Sequence, residues 1–61
     1  MANLTTKELT ALEDQIGVEK MLVKKYRAMA DLCTDTKLQQ CLNNFAQKHQ
    51  QHSDMLMTFL N

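Results

Sequence analysis

The stretch LQQCLNNFAQKHQQHSDMLMTF, residues 38–59, carries apolar and histidine side chains at alternating steps of four and three residues. They are Leu38, Leu42, Phe45, His49, His52, Leu56 and Phe59. An earlier stretch repeats this alternation with Leu9, Leu12, Ile16, Glu19, Val23, Tyr26, Ala30 and Cys33. Since a step of three or four residues returns a side chain to the same side of an α-helix, each set lies on one helix face. The two patterns predict two helices that pack face to face.

Local signals place the ends of these helices. Thr5 and Glu8 have the three-residue spacing of a capping box, which predicts a helix that starts near residue 6. The polar segment after Leu32 predicts a turn, with Thr34 or Asp35 as the cap of the second helix. We expect helices over about residues 6–32 and 36–60, a turn over about 33–35, and one hairpin domain over 1–61. A loop this short makes the helices antiparallel, so the expected fold class is an all-α, antiparallel two-helix hairpin.

A hairpin of this size cannot cover its own apolar surface. Chains of about 60 residues usually need disulfides, a metal or oligomerisation to be stable. Further apolar residues flank the two faces, namely Leu22, Met29, Cys41, Ala46, Met55 and Leu60. Each helix therefore has enough apolar width for two neighbours. We expect two hairpins to form a homodimer with the architecture of a four-helix bundle.

Three polar residues interrupt the apolar faces at one level of the hairpin. When the helices fold back on each other, Glu19 faces His49, and His52 lies one turn away. A carboxylate and two imidazoles are costly in an apolar interface unless they pair or bind a ligand. The two histidines form an H-x-x-H pattern whose side chains can reach one ion, and this donor set suits zinc, iron, copper or nickel. Two alternatives stay open: a metal-free hydrogen-bonded network that fixes the register, and exposed side chains without a role.

Composition argues against several classes of function. Seven basic residues balance seven acidic ones, so nucleic acid is not an expected partner. No apolar run approaches the ~20 residues that span a bilayer, and residues 1–7 lack the apolar stretch of a signal peptide. We therefore expect an intracellular protein with no membrane partner. The sequence has no nucleophile–base pair, glycine-rich phosphate loop or paired-carboxylate site, so we expect no enzyme activity.

The phrases LTTKELTALEDQIGVEKMLVKKY (residues 4–26) and FAQKHQQHSDML (residues 45–56) carry a family resemblance. With these phrases the chain resembles the short two-helix proteins of the CotF-like spore coat family and is similar to half of a ferritin-like bundle. The resemblance covers nearly the whole chain. It implies a ferritin-like fold assembled from two hairpins, with synthesis in the cytoplasm of the mother cell and a place in the spore coat.

The resemblance also implies a metal site with one departure from the family pattern. In ferritin-like metal proteins one helix supplies a Glu and the next supplies Glu-x-x-His. By position Glu19 matches the first Glu and His52 matches the His, whereas His49 stands where the second Glu is expected. Two chains would supply two carboxylates instead of four. The departure favours a single zinc-like ion, or no metal, over the carboxylate-bridged iron pair that oxygen chemistry requires.

Three functions are consistent with these observations. The first is a structural or assembly protein, associated with the spore coat, which forms a homodimeric bundle and contacts other coat proteins. The second is a ferritin-like metal-binding or redox protein with zinc or iron at Glu19, His49 and His52. The third is a helical module that donates its hairpin to a larger partner. The sequence favours the first of these, with the second as its main alternative.

Overall fold

Two α-helices and a short 3₁₀ turn make up the hairpin. The computed structural model describes residues 3–60, in which α1 spans Thr6–Leu32, α2 spans Thr36–Met57 and the 3₁₀ turn spans Thr58–Leu60. The hairpin is a rod 46 Å long and 15 by 11 Å in cross-section. The second helix was expected to continue to about residue 60, but its last three residues tighten into the 3₁₀ turn. The expected domain also includes residues 1, 2 and 61, which lie outside the described residues.

Side chains cap both helices at their N-termini. The Glu8 N–H donates to Thr5 Oγ1 at 3.1 Å and the Thr5 N–H donates to Glu8 Oε1 at 3.0 Å, so the predicted capping box is confirmed. Asp35 caps α2 through a backbone N–H that donates to its Oδ1 at 2.8 Å. The Gln39 side chain donates to the Ala30 carbonyl at 3.1 Å. This bond satisfies one of the carbonyls that a helix C-terminus leaves free, and it ties the start of α2 to the end of α1.

The line of contact between the helices follows the prediction on α1 and only part of the prediction on α2, where Leu42 is buried and His49 contacts Glu19 as expected. The buried residues of α1 all belong to the predicted face; they are Ile16, Glu19, Val23 and Ala30. The buried residues of α2 are Leu42, Ala46 and Ser53, and only Leu42 was predicted to face α1. Leu38, Phe45 and Phe59 were expected to lie at the centre of this contact, but all three lie at its edge and are 44% to 51% exposed, with Phe45 touching Tyr26 of α1.

Side-chain size explains why α2 is turned away from the predicted orientation. Ala30 and Ala46 are each only 1% exposed, and small residues allow two helices to approach closely. A phenylalanine at the position of Ala46 would hold the helices further apart and would leave gaps beside it. The structure therefore places Ala46 against α1 and leaves its larger neighbour Phe45 at the side of the hairpin.

The large side chains that α2 turns away from α1 form one side of the rod, which we call the apolar flank. It consists of Leu22, Met29, Leu38, Phe45 and Phe59. Tyr26 is adjacent to both Leu22 and Met29 on the surface of α1. Its ring centroid lies 5.6 Å from that of Phe45, so the contributions of the two helices lie on the same side. Met29, Leu38, Phe45 and Phe59 are between 42% and 51% exposed, which leaves an apolar strip open to solvent.

The other side of the rod, which we call the polar flank, has the opposite character. It consists of Glu13, Lys20, Arg27, Asn43 and Gln50, and the only large apolar residue on it in the described part of α2 is Met57, at the end of the helix. These residues lie as close to the contact line as those of the apolar flank do, but on the opposite side of that line. Among residues 3–60 there is no strand, and neither helix is sufficiently long and apolar to cross a bilayer.

Candidate metal centre

Glu19 is the central residue of α1 and the centre of a polar cluster. Thirteen residues of the 27-residue helix precede it and thirteen follow it. It is only 5% exposed, because α2 covers it. A carboxylate at such a position is unfavourable unless it is paired and hydrogen-bonded. The chain meets this requirement with the two histidines of α2.

Both histidines contact the same oxygen of Glu19 through the same type of ring nitrogen. His49 Nδ1 lies 2.5 Å from Glu19 Oε1, and His52 Nδ1 lies 3.5 Å from it. One metal-ligating atom from each of the three residues can be chosen so that all lie within 4.8 Å of one another. The predicted pairing of Glu19 with His49 is therefore confirmed, and His52 joins the pair from one turn further along α2.

The exposure of the three side chains increases from Glu19 through His49 to His52. The Glu19 side chain is buried and that of His49 is half-buried, whereas the His52 side chain is 53% exposed. His52 lies seven residues after Phe45 and seven before Phe59, which places it on the apolar flank. The cluster thus opens towards the apolar flank rather than towards the polar one.

An aromatic wall covers one side of the cluster. The Tyr26 ring stacks on the His49 ring, with centroids 5.7 Å apart and an interplanar angle of 10°. Phe45 leans against the same tyrosine at an angle of 56°. The sequence predicted Tyr26 as an aromatic residue of the interface but did not predict that it stacks on His49. The nearly parallel tyrosine ring covers His49 from one side, and the hydrogen bond to Glu19 fixes the direction of its Nδ1.

The contacts of Glu19 lower its pKa. The hydrogen bond from His49 is the largest cause, and burial opposes it by raising the pKa; the positive charge of His49 and side-chain hydrogen bonds from Gln15 and His52 lower it further. The folded-state pKa thus lies below the ordinary value of 4.5. Ionised Glu19 therefore stabilises the fold above that value, and this contribution is lost as the pH falls through the lowered pKa.

Two further residues at the cluster were not identified from the sequence. Gln15 lies four residues before Glu19 on α1, and that spacing was the only available signal. Ser53 follows His52 directly, is fully buried, and its Oγ has no hydrogen-bond partner among residues 3–60. The sequence gives no signal for Ser53, because a serine next to a histidine is unremarkable on a helix.

The donor set of the cluster fits a transition metal. Two imidazoles and one carboxylate are ligands that zinc, iron, copper and nickel accept, whereas magnesium and calcium prefer oxygen alone. The same atoms also satisfy one another without a metal, since the His49 Nδ1–H can donate to Glu19 directly. The arrangement can therefore act as a buried ion pair or as a metal site.

The fold and the cluster together define a class: an all-α hairpin with an exposed apolar flank and a Glu–His–His cluster at its centre. No family model, curated protein or solved structure matches the chain.

Proposed function

We propose that the chain is a non-enzymatic structural protein whose assembled form is a homodimer, with two hairpins packed through their apolar flanks as a four-helix bundle. The observation that carries this proposal is the strip of exposed Met29, Leu38, Phe45 and Phe59, in which His52 lies between Phe45 and Phe59. Large apolar side chains rarely remain together on the surface of a protein that acts alone. The exposed strip runs mainly along α2 and the 3₁₀ turn, and α1 contributes Met29 beside the half-buried Leu22.

The exposed area of the chain supports a second copy as the occupant of this flank. The chain exposes 4843 Å², whereas a compact folded protein of 7.0 kDa exposes roughly 4,000 Å². The excess of roughly 800 Å² is close to the area that each partner buries in an interface of standard size. A second hairpin has the same length and the same uncharged strip, so a two-fold axis can pair the flanks without placing like charges opposite each other.

A role in the spore coat is the most specific form of the proposal. It rests on the resemblance to the CotF-like family and to ferritin-like bundles. In this form the dimer is made in the mother cell and assembles with other coat proteins. Light microscopy of a fluorescent fusion, with a growing culture as control, tests it: we expect signal at the spore periphery, and signal confined to growing cells would contradict it.

The dimer itself is tested by molar mass as a function of concentration. Light scattering coupled to size-exclusion chromatography should give about 14 kDa, twice the chain mass of 7.0 kDa. The melting temperature should rise with protein concentration, since dissociation precedes or accompanies unfolding. A folded monomer at all concentrations would contradict the proposal. A poorly folded monomer would instead indicate a larger partner that receives the hairpin.

A metal-binding protein is the second candidate function, and the Glu19–His49–His52 cluster favours it. We infer that the cluster binds a divalent transition metal, zinc or iron, at the centre of the bundle. Untagged protein should be loaded with Zn²⁺ or, without oxygen, with Fe²⁺, and its metal content measured by mass spectrometry. We expect bound metal that His49→Ala loses, while Gln51→Ala, an exposed change on the same helix, retains it. A metal content no higher than background in the unmodified protein after loading would contradict this function.

A further inference from the structure

The atoms that meet within the cluster assign different roles to Glu19 and to the histidines. Glu19 Oε1 contacts Nδ1 of both rings, at 2.5 Å and 3.5 Å. A carboxylate that accepts a hydrogen bond from Nδ1–H holds the proton there and leaves the lone pair on Nε2. The hydrogen bond from His49 therefore leaves its Nε2 free to bind a ligand, and Glu19 Oε1 lies 3.5 Å from the same type of nitrogen of His52.

The short contact also argues against a metal ion between Glu19 and His49. A zinc ion bonded to a carboxylate oxygen and an imidazole nitrogen at about 2.0–2.2 Å each would hold those two atoms about 3 Å or more apart. Glu19 Oε1 and His49 Nδ1 are in direct hydrogen-bond contact, which is too close for both atoms to be ligands of one ion. The carboxylate thus acts on the metal site through the ring and not as a ligand.

We propose that His49 and His52 of two chains bind one divalent metal ion through four Nε2 atoms, and that Glu19 of each chain orients His49 through the hydrogen bond to its Nδ1. The inference rests on the proposed dimer. It assigns a ligand set of four imidazoles, with the carboxylates one hydrogen bond away from the ion. Zinc, copper, iron and nickel are the metals that imidazole ligands suit.

The separation of the two histidine rings suits joint coordination. Their centroids are 5.7 Å apart and their planes are nearly perpendicular, at 87°. Two imidazoles bound to one tetrahedral ion have centroids about 5 Å apart, given zinc–nitrogen bonds of about 2.0–2.1 Å. The half-exposed His52 can supply the small adjustment, while Tyr26 holds the His49 ring in place.

The position of the cluster favours a site shared by two chains. Glu19 is the middle residue of α1, so a two-fold axis through the middle of the apolar flank brings both clusters to the same level. One chain offers only two imidazole nitrogens, and a closed structural zinc site needs four ligands. The second copy supplies the remaining two, and it also excludes water from the ion.

Charge determines the number of ions. Each chain contributes one carboxylate to the cluster, so a dimer contributes two negative charges at neutral pH. One divalent ion is neutralised by them, whereas two ions would leave two positive charges in an apolar interface, which is costly. The cluster should therefore hold one ion per dimer.

Native mass spectrometry of untagged, metal-stripped protein titrated with Zn²⁺ tests the stoichiometry, and Co²⁺ absorption reports the coordination geometry. We expect a dimer that carries one ion, with the intense visible bands of tetrahedral cobalt. His52→Ala should abolish binding, and Gln51→Ala should leave it unchanged. Glu19→Gln keeps an oxygen for the Nδ1–H bond, so it should still bind one ion per dimer, with affinity reduced about 10- to 100-fold.

Three results would overturn the inference and leave the dimer standing: two ions per dimer, no ion at all, or complete loss of binding in a folded Glu19→Gln variant. If that variant fails to fold, the stoichiometry of the unmodified chain decides. A monomer, with or without metal, would overturn both the shared site and the proposed dimer.

Discussion

The apolar flank and the polar flank belong to the same two helices and lie equally close to their contact line, yet the first carries mainly large apolar side chains and the second mainly charged and amide side chains. The contact itself is made by Ile16, Val23, Leu42 and other buried residues, which lie on neither flank. Within the hairpin Phe45 packs against Tyr26 with one side of its ring, yet 44% of the residue stays exposed, as does 51% of Leu38. The difference indicates that the apolar flank serves a contact beyond the single chain, and the cluster that opens onto it shares that role.

A negative charge on each flank provides the strongest test of this difference. Phe45→Glu places a carboxylate on the apolar flank, and a dimer would bury two of them. We expect the dimer dissociation constant to rise at least about 100-fold, because a buried unpaired charge is costly. Sedimentation equilibrium at several concentrations measures it.

The matched control for this test is Asn43→Glu, which adds the same charge to the exposed polar flank. Its dissociation constant should stay within about threefold of the unmodified chain, because surface substitutions have small effects. Equal weakening by the two variants would show that the flanks do not differ in function.

The contact line between the flanks provides the second test, through a change of size rather than of charge. Ala46→Leu inserts a large side chain where the residue is 1% exposed, and overpacking of this kind costs about 1–3 kcal/mol. We expect urea unfolding to show that loss. Ala28→Leu makes the same change at an exposed position of α1 and should be nearly neutral.

The stability of Ala46→Leu also distinguishes the orientation of α2 in the structure from the orientation that the sequence predicted. If Ala46 lay at the side of the hairpin, as the sequence predicted, leucine there would stabilise the dimer rather than destabilise the fold. A gain in stability for Ala46→Leu would therefore favour the predicted orientation of α2.

Helical spacing identified the two helices, the capping box and the buried residues of α1, because each of these depends on local pattern. It could not show whether the side of α2 that carries Phe45 or the side that carries Ala46 packs against α1. Hydrophobicity ranks Phe45 above Ala46 for a buried position, whereas close packing of two helices requires the smaller residue. When a helix has two neighbours, its pattern shows that both sides are covered but not which neighbour covers which.

The candidate site was predictable to a similar extent. The helical spacing predicted that Glu19, His49 and His52 lie at one level of the hairpin, and the structure places them together. The sequence could not show that both histidines use Nδ1 towards Glu19, because this depends on side-chain rotamers. It also could not show that His52 is half-exposed, because its exposure follows from the turn of α2 that the sequence did not predict.

Ser53 provides a third test, on the polar group that lies in the contact line. Its Oγ is buried and has no hydrogen-bond partner among residues 3–60, so replacing it removes an unsatisfied group. Ser53→Ala should stabilise the chain by about 1–2 kcal/mol, measured by urea unfolding at a fixed protein concentration. A gain of no more than about 0.5 kcal/mol, which helix propensity alone supplies, would show that the hydroxyl is satisfied in solution.

Gly17 gives the smallest effect and a reference that touches neither flank. A Cβ at this position would meet no atom within 4 Å among the described residues, and the residue lies in the interior of α1. Gly17→Ala should therefore stabilise the helix by about 0.5–1 kcal/mol, since alanine loses less backbone entropy on folding. The melting temperature should rise while the dimer dissociation constant and the number of bound zinc ions stay unchanged. A change in the dimer constant would place the outer face of α1 in an interface, and the comparison of the two flanks would then have to include this third surface.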